Sequence, residues 1–561
     1  MLKKHILKNF TSYLIKNGRI INPDRIFDAD IYIKNDKIQK IFERKQLTNK
    51  SFNNFNIDIN NTYESYVLSE NTIEINASNK FVIPGGIDTH THMELPFMGE
   101  VAVDDFDTGT RAAVAGGTTT IIDFLIPENN QSLMQGFESW RKKADGRINC
   151  DYALHCILTK WNDDVKLQMK NMIDLGVQSF KVFLAYKNAL MMDSSHLYQI
   201  LKRSKELGSI VLVHAENGDL IDEAQKELVD NLSITGPEGH YMSRPDIFEA
   251  LATHQAITVS EYLTSPLYIV HLMSKKSARE VMNAKLRGAP IFGETLAAAL
   301  GADGRNMWHS DWDIAGPHVM SPPLNPDPTV KDYLMRNIHT GNIDTVGSDN
   351  CTFCLRQKKR GIDDFRKIPN GVGGIEDRLA VLWTKGVKTG LISKTEFVKS
   401  VSTNAAQIFN LYPNKGIIKE GADADVVIWN GDEERIISRN NHHQSVDFSV
   451  FEGMIVNGTA EKTFSRGKLV FDKEKGFDNL HKGKYIGREC FGYVYDRIEE
   501  RSKALDFKNF KVNRDVDSNN NNTNNKNINH IYPENEEIRK LKYKLSELNY
   551  KLEKLKNSNK L

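Results

Sequence analysis

The chain is poor in cysteine: Cys150, Cys156, Cys351, Cys354 and Cys490 are the five among 561 residues, and no regular spacing links them. That excludes a disulfide framework and points to a reducing compartment. Cys351 and Cys354 form a C-x-x-C, but a zinc knuckle needs a second such pair and the chain has none. Excess charge of either sign is missing too. Lys plus Arg number 74 and Asp plus Glu 73, so no global field draws the chain to nucleic acid or to an anionic membrane. No apolar run approaches the roughly 18 residues needed to cross a bilayer. The basic segment 1–20, MLKKHILKNFTSYLIKNGRI, has no secretory h-region, because Lys and Asn interrupt its apolar residues. Leu14, Ile15, Ile20 and Ile21 already have strand character, which argues against a transit peptide. The expectation is a soluble cytoplasmic protein.

What is present is organised in three textures. Residues 12–43 are short β-rich pieces separated by Asn-Gly, Asn-Pro and Asn-Asp turns, followed by an Asn-rich, poorly periodic insertion at 44–71. From 85 to 410, strings such as TTTIIDFLI, SFKVFLAY, SIVLVHAE and PLYIVHLMS alternate with helical stretches such as DDVKLQMKNMIDLG. Strings apolar on both faces and spaced by helices predict buried parallel strands in βαβ units. Their number and span predict an α/β fold of the (β/α)8 TIM-barrel type, with a doubly wound open sheet as the alternative. Past 415, hairpin texture returns, so 12–84 and 411–490 are expected to form one discontinuous, β-sandwich-like domain beside a catalytic barrel at 85–410. Residues 491–515 then extend the body, 516–532 form an Asn-rich disordered linker, and 533–561 a short helix. In that helix Ile538, Leu541, Leu545, Leu548, Leu552 and Leu555 follow the a/d spacing of a coiled coil, which makes it a candidate self-association element.

Each expected barrel strand ends in a residue type that binds metals. VIPGGIDTHTH carries His90 and His92, which a period of two turns to the same side. SIVLVH ends in His214, PLYIVH in His271 and IDTVGSD in Asp349. A single histidine after an apolar run is usually a core or capping residue. Four histidines and an aspartate at the same end of successive strands are imidazole and carboxylate ligands for zinc or a similar ion, and catalytic residues of barrels sit at that end. Lys181, inside GVQSFKVFLAYK, has no acidic neighbour in sequence, and lysines are seldom buried unpaired. The residues alone leave it open as an ordinary strand lysine whose ammonium reaches the barrel mouth. The Gly-Gly of AAVAGGTTTIIDF falls at a helix-to-strand turn, the wrong order for a nucleotide loop, and is read as structural.

Taken in order, GGIDTHTHMELPFMG, GVQSFKVFLAYK, VLVHAENGD, YIVHLMS, MSPPLNP, VGSDNCTF and IPNGVGGIEDR resemble the dihydropyrimidinase (hydantoinase) branch of the cyclic amidohydrolases, over about residues 12–500. The resemblance implies two zinc ions per subunit, one held by His90, His92 and Asp349 and the other by His214 and His271. Lys181, carboxylated on its amine, would bridge them. It implies hydrolytic ring opening of 5,6-dihydrouracil and 5,6-dihydrothymine by a metal-bridging hydroxide, with Asp349 moving the proton and Tyr186 donating to the oxyanion. Ser321 and Asn370 match positions whose main chain holds the ureide edge of the substrate, and a homotetramer is the assembly implied. Asn325 departs from many relatives, which carry Arg or another polar residue after PPL in a loop near the substrate.

Competing readings are a non-catalytic scaffold like the collapsin-response-mediator proteins, a hydantoinase or allantoinase, and a dihydroorotase. The scaffold relatives have lost metal ligands, whereas His90, His92, Lys181, His214, His271 and Asp349 are all present. A dihydroorotase needs an arginine shortly after the H-x-H pair to hold a carboxylate. Met93 and Glu94 stand there instead and favour a neutral substrate.

Overall fold

The computed structural model describes residues 12–44, 68–69, 71–128, 130–478, 481–496 and 498. The expected linker at 516–532 and the heptad helix at 533–561 lie outside the described residues, as do most of 44–71 and 491–515.

The β-rich ends of the chain meet in one sheet. β1 (Ser12–Ile21), β2 (Ile26–Lys34) and β3 (Lys37–Glu43) form an antiparallel meander with Ile15 opposite Ile31 and Ile20 opposite Phe27. Asn35, at φ 58°, makes the tight β2–β3 turn in a left-handed conformation that Asn tolerates. β4 (Thr72–Asn76) and β5 (Phe81–Pro84) both add to β1 in parallel. The chain then leaves to build the barrel. Its first strand is β6 (Gly86–Thr91), with the small hairpin β7 (Pro96–Phe97) and β8 (Glu100–Val101) off the ring.

Seven further parallel strands follow: β9 (Thr118–Leu125), β10 (Asp151–Ile157), β11 (Ser179–Phe183), β12 (Ile210–His214), β13 (Leu267–Ile269), β14 (Ile291–Leu296) and β15 (Thr345–Gly347). They pair in sequence order from β6 to β15, and a parallel bridge between Thr91 and Asn350 joins the last strand back to the first. This is the (β/α)8 barrel, nearly closed, and not the open doubly wound sheet. All eight residues of β9, TTTIIDFL, are buried, as a strand covered on both faces must be. Helices between the strands start on side-chain caps, such as Asn162 accepting from Val165 N and Asp193 accepting from His196 N. The Gly-Gly turn has the structural role expected. A Cβ on Gly116 would lie 2.2 Å from the Glu376 carbonyl oxygen, and Gly117 has φ 88°.

After the barrel, β16 (Val426–Ile436), β17 (Ile455–Ser465), β18 (Lys468–Asp472) and β19 (Gly476–Phe477) return to the first sheet, with β16 antiparallel to β5. The two contributions join in one continuous hydrogen-bonded mixed sheet, β19-β18-β17-β16-β5-β1-β2-β3, with β4 beside β1. It folds back on itself in the expected sandwich-like way, since Tyr13 of β1 meets Phe464 of β17 ring to ring at 5.1 Å. Ile15, Ile31 and Val82 from one end share an apolar cluster with Val426, Ile428 and Phe464 from the other. No described helix is long and apolar enough to cross a membrane.

Charge is buried where the sheet meets the barrel. Lys415 lies 2.9 Å from Asp151, the first residue of β10, 2.5 Å from Asp425 and 3.3 Å from Asp423, and Arg466 Nε donates to Asp151 at 2.7 Å. Removing one partner of such a network strands the others without compensation. Lys415→Met is expected to destabilise the fold by about 3–5 kcal/mol, read as a lower urea midpoint at an unchanged slope.

Candidate metal centre and its pocket

The six candidate ligands come from five different strands and converge on the mouth at the carboxyl ends of those strands. His90 lies within β6 and His92 just beyond it. Lys181 lies inside β11, and His214 ends β12. His271 and Asp349 each follow their strand by two residues, in left-handed backbone at φ 39° and 51°. Tyr186, after β11, is left-handed as well, at φ 61°. Such conformations cost a non-glycine residue of order 1–3 kcal/mol and cluster where a site holds them in place.

His90 Nε2 and His92 Nε2 both stand 3.2 Å from Asp349 Oδ1, and the three ligand atoms lie within 4.8 Å of one another. The imidazole of His271 stacks on that of His90 at 5.4 Å and meets that of His214 edge-on at 4.5 Å. All six side chains are buried, and all line one pocket with Tyr186, Ser321 and Asn370. Asn370 Nδ2 donates to Ser321 Oγ at 3.1 Å. Thus every residue given a metal, catalytic or substrate role from the sequence stands in this one pocket, and Asn325, expected beside the substrate, does not. That side chain turns away to donate to Asp246 Oδ1 at 2.8 Å, and it does not line the cavity.

Sequence reading passed over the residues that aim the ligands. Glu294, in β14, accepts from His90 Nδ1 at 2.7 Å, from Thr89 Oγ1 at 2.6 Å, from the Tyr268 hydroxyl at 2.9 Å and from His271 N at 3.2 Å. Glu216 accepts from His214 Nε2 at 2.7 Å. A carboxylate on one ring nitrogen fixes the tautomer and leaves the other nitrogen's lone pair for a metal. The signals were available in the sequence: an acidic residue inside the apolar string IFGETL, and one two places after His214 in VHAE.

Electrostatics favour the ligand forms. Burial lowers the pKa of His90, His214 and His271, so these rings are neutral near pH 7. Burial opposes charge on Asp349, but His90, His92 and Lys181 outweigh it and hold the carboxyl below its usual range. Burial also pulls the Lys181 ammonium down to about 8, against the attraction of Asp349 and Glu294. Among the described residues Lys181 Nζ has no hydrogen bond or ion pair, only the faces of Phe124 and Phe183 at 4.8 and 5.1 Å. His92 Nδ1 is likewise buried without a partner. Neutral imidazoles, a carboxylate and an unpaired buried amine form a donor set that suits a divalent cation.

Comparison with known proteins agrees with this geometry. Residues 81–470 match the model of the amidohydrolase family. A dihydropyrimidinase from Dictyostelium discoideum is 46% identical over 492 residues, 88% of this chain and 93% of that protein. The crystal structure of dihydropyrimidinase from Brevibacillus agri superposes with a TM-score of 0.79 at 35% identity, covering 86% of this chain and 99% of that one. A D-hydantoinase crystal structure has the same TM-score at 36% identity, covering 86% and 100%.

Glu294→Gln keeps the shape of the side chain but removes the charge that aims His90. Competition with a chelator is expected to show divalent-metal affinity about 10–100-fold weaker than in the parent chain.

Proposed function

Given that the chain belongs to the amidohydrolase family, in its dihydropyrimidinase branch, we propose that it hydrolyses the rings of 5,6-dihydrouracil and 5,6-dihydrothymine. The products are N-carbamoyl-β-alanine and N-carbamoyl-β-aminoisobutyrate. The observation that carries this reading is the convergence of His90, His92 and Asp349 on one point, with His214, His271 and Lys181 beside them in the same pocket. In this proposal His90, His92 and Asp349 hold one zinc ion, and His214 and His271 a second. Lys181, carboxylated by carbon dioxide, would join the ligand set as a carboxylate in place of an unpaired buried cation. Two such ions would supply an acidified water and polarise the ring carbonyl.

The chain's own groups do the rest. Asp349, held in its carboxylate form, takes a proton from the water that adds to the ring carbonyl carbon. As the carbon–nitrogen bond breaks, it returns that proton to the departing ring nitrogen, so one water is consumed and the open chain ends in a ureide and a carboxylic acid, which releases its proton to solvent. Tyr186 donates its hydroxyl hydrogen to the developing oxyanion. Burial and the charge of Glu216 push that phenol up to about 12, so it remains a donor at neutral pH. Ser321 and Asn370 hold the ureide edge through their main chain. Phe97, Ile126 and Leu190 make the rest of the pocket wall apolar, in keeping with a neutral ring.

A hydantoinase activity on five-membered ureides is the second reading, favoured by the likeness to the D-hydantoinase structure. The scaffold reading is not supported, because a dismantled centre is its premise and all six side chains are in place. We further read the chain as cytoplasmic, with neither nucleic acid nor membrane as partner, supported by its few unpatterned cysteines and balanced charge, and as a homotetramer, supported by its likeness to the dihydropyrimidinases.

Incubation of the full chain with dihydrouracil should yield N-carbamoyl-β-alanine by mass spectrometry, stop after metal is stripped by chelator, and resume when zinc is returned. Undiminished turnover by metal-free protein would overturn the mechanism. Tyr186→Phe should lower kcat by about 10²–10³-fold, with little change in KM, as expected when an oxyanion donor is lost.

A further inference from the structure

One wall of the pocket is formed by two loops, Met320–Ser321 and Asn370–Gly371. Between their backbones lies Lys358, at the end of the short helix Leu355–Lys358 and with no exposed surface. Its ammonium donates to the Val319 carbonyl oxygen at 2.7 Å and to the Gly371 carbonyl oxygen at 2.7 Å. Val319 O also accepts from Gly371 N at 3.1 Å, so three hydrogen bonds lace the loops together. On the other side of the first loop His240 Nε2 donates to Met320 O at 2.7 Å and faces Ser321 Oγ at 3.3 Å. The second loop approaches its neighbour closely, since a Cβ on Gly371 would sit 2.3 Å from the Cys351 carbonyl oxygen.

A fully buried lysine normally has an acidic partner. Lys358 has none among the described residues: its charge faces two carbonyls, with Cys351, His240 and His318 as the titratable groups around it. Burial without a counter-ion is costly, and a purely structural filler at this position would be served by an apolar side chain. The ammonium offers donors on a long stem that reaches both loops at once.

We propose that Lys358 is a positioning residue for the reaction: by tying Val319 to Gly371 it sets the separation of the Ser321 and Asn370 backbones that grip the ureide edge. The inference rests on the assignment of those two residues to substrate binding made above. The ureide includes the departing ring nitrogen, but its carbonyl and its other nitrogen exchange no bond or proton in the reaction, so contacts to them hold substrate and transition state alike. Loosening them weakens binding without slowing the chemical step.

The test compares Lys358→Met with the parent full chain. With metal content unchanged, KM for dihydrouracil should rise by about tenfold or more while kcat stays within about threefold, the signature of lost uniform binding. Hydrogen exchange should quicken in peptides spanning 319–324 and 368–372 and stay constant across 86–92. Unchanged KM, or a fall in kcat at constant KM, overturns the proposal, and so does unaltered exchange in both loops. If the parent chain does not turn over dihydrouracil, the functional reading fails, and the exchange arm alone decides whether Lys358 ties the loops. Should Lys358→Met not fold, Lys358→Gln, which keeps two N–H donors, takes its place. Failure of both to fold would make Lys358 a folding element and overturn the positioning role.

Discussion

The backbone hydrogen bond from His92 N to Asn350 O, 2.9 Å long, is the seam at which the first barrel strand meets the last. Its consequence is chemical as much as architectural. The histidine pair lies on one side of the seam and Asp349 on the other, so ring closure brings His90, His92 and Asp349 to a common point. An open sheet with the same strand sequences would leave the aspartate at the far edge from the histidines. The centre is therefore a property of the closed ring rather than of any one strand, and the Thr91–Asn350 bridge makes that closure local to the site.

Around the seam, a few buried acidic groups do most of the aiming. Glu294 spends both oxygens on four donors from two strands, β6 and β13, and the loop after β13, which fixes His90 directly and His271 through its backbone. Glu216 does the same for His214. Arg244 stands 3.7 Å from Glu216 and 3.3 Å from His240 Nδ1, so the metal-side residues and the substrate-side loop share one polar network. Left-handed backbone at Tyr186, His271 and Asp349 shows where the scaffold imposes conformations that the residues themselves disfavour.

The parts of the site legible in the sequence were those whose chemistry contradicts their surroundings. A histidine or aspartate closing a run of β-branched residues is conspicuous, and barrel logic supplies the end at which such residues meet. Lys181 was conspicuous for the same reason, although its unpaired burial only becomes visible in three dimensions. Glu294 and Lys358 were less legible because their partners lie far along the chain, so that a local pattern can flag the residue but not what it holds. Asn325 shows the opposite error: adjacency to the substrate loop in sequence did not survive the turn that points it at Asp246. For the fold, alternating texture was enough to separate barrel from sheet. It could not show that the two ends join through hydrogen bonds, because that junction depends on β5 pairing with β1 on one edge and β16 on the other.

That last arrangement bears on how the molecule is made. β5 is synthesised before any of the barrel, yet its second neighbour, β16, begins only at Val426. At translation rates of about 5–20 residues per second, an apolar strand edge stands unpaired for some tens of seconds while the ring is still being extruded. During that interval the open edge of β5 is a template for stray β-pairing. Circular permutants that bring β16 next to β5 in order of synthesis would shorten this exposure while keeping the β5–β16 pairing.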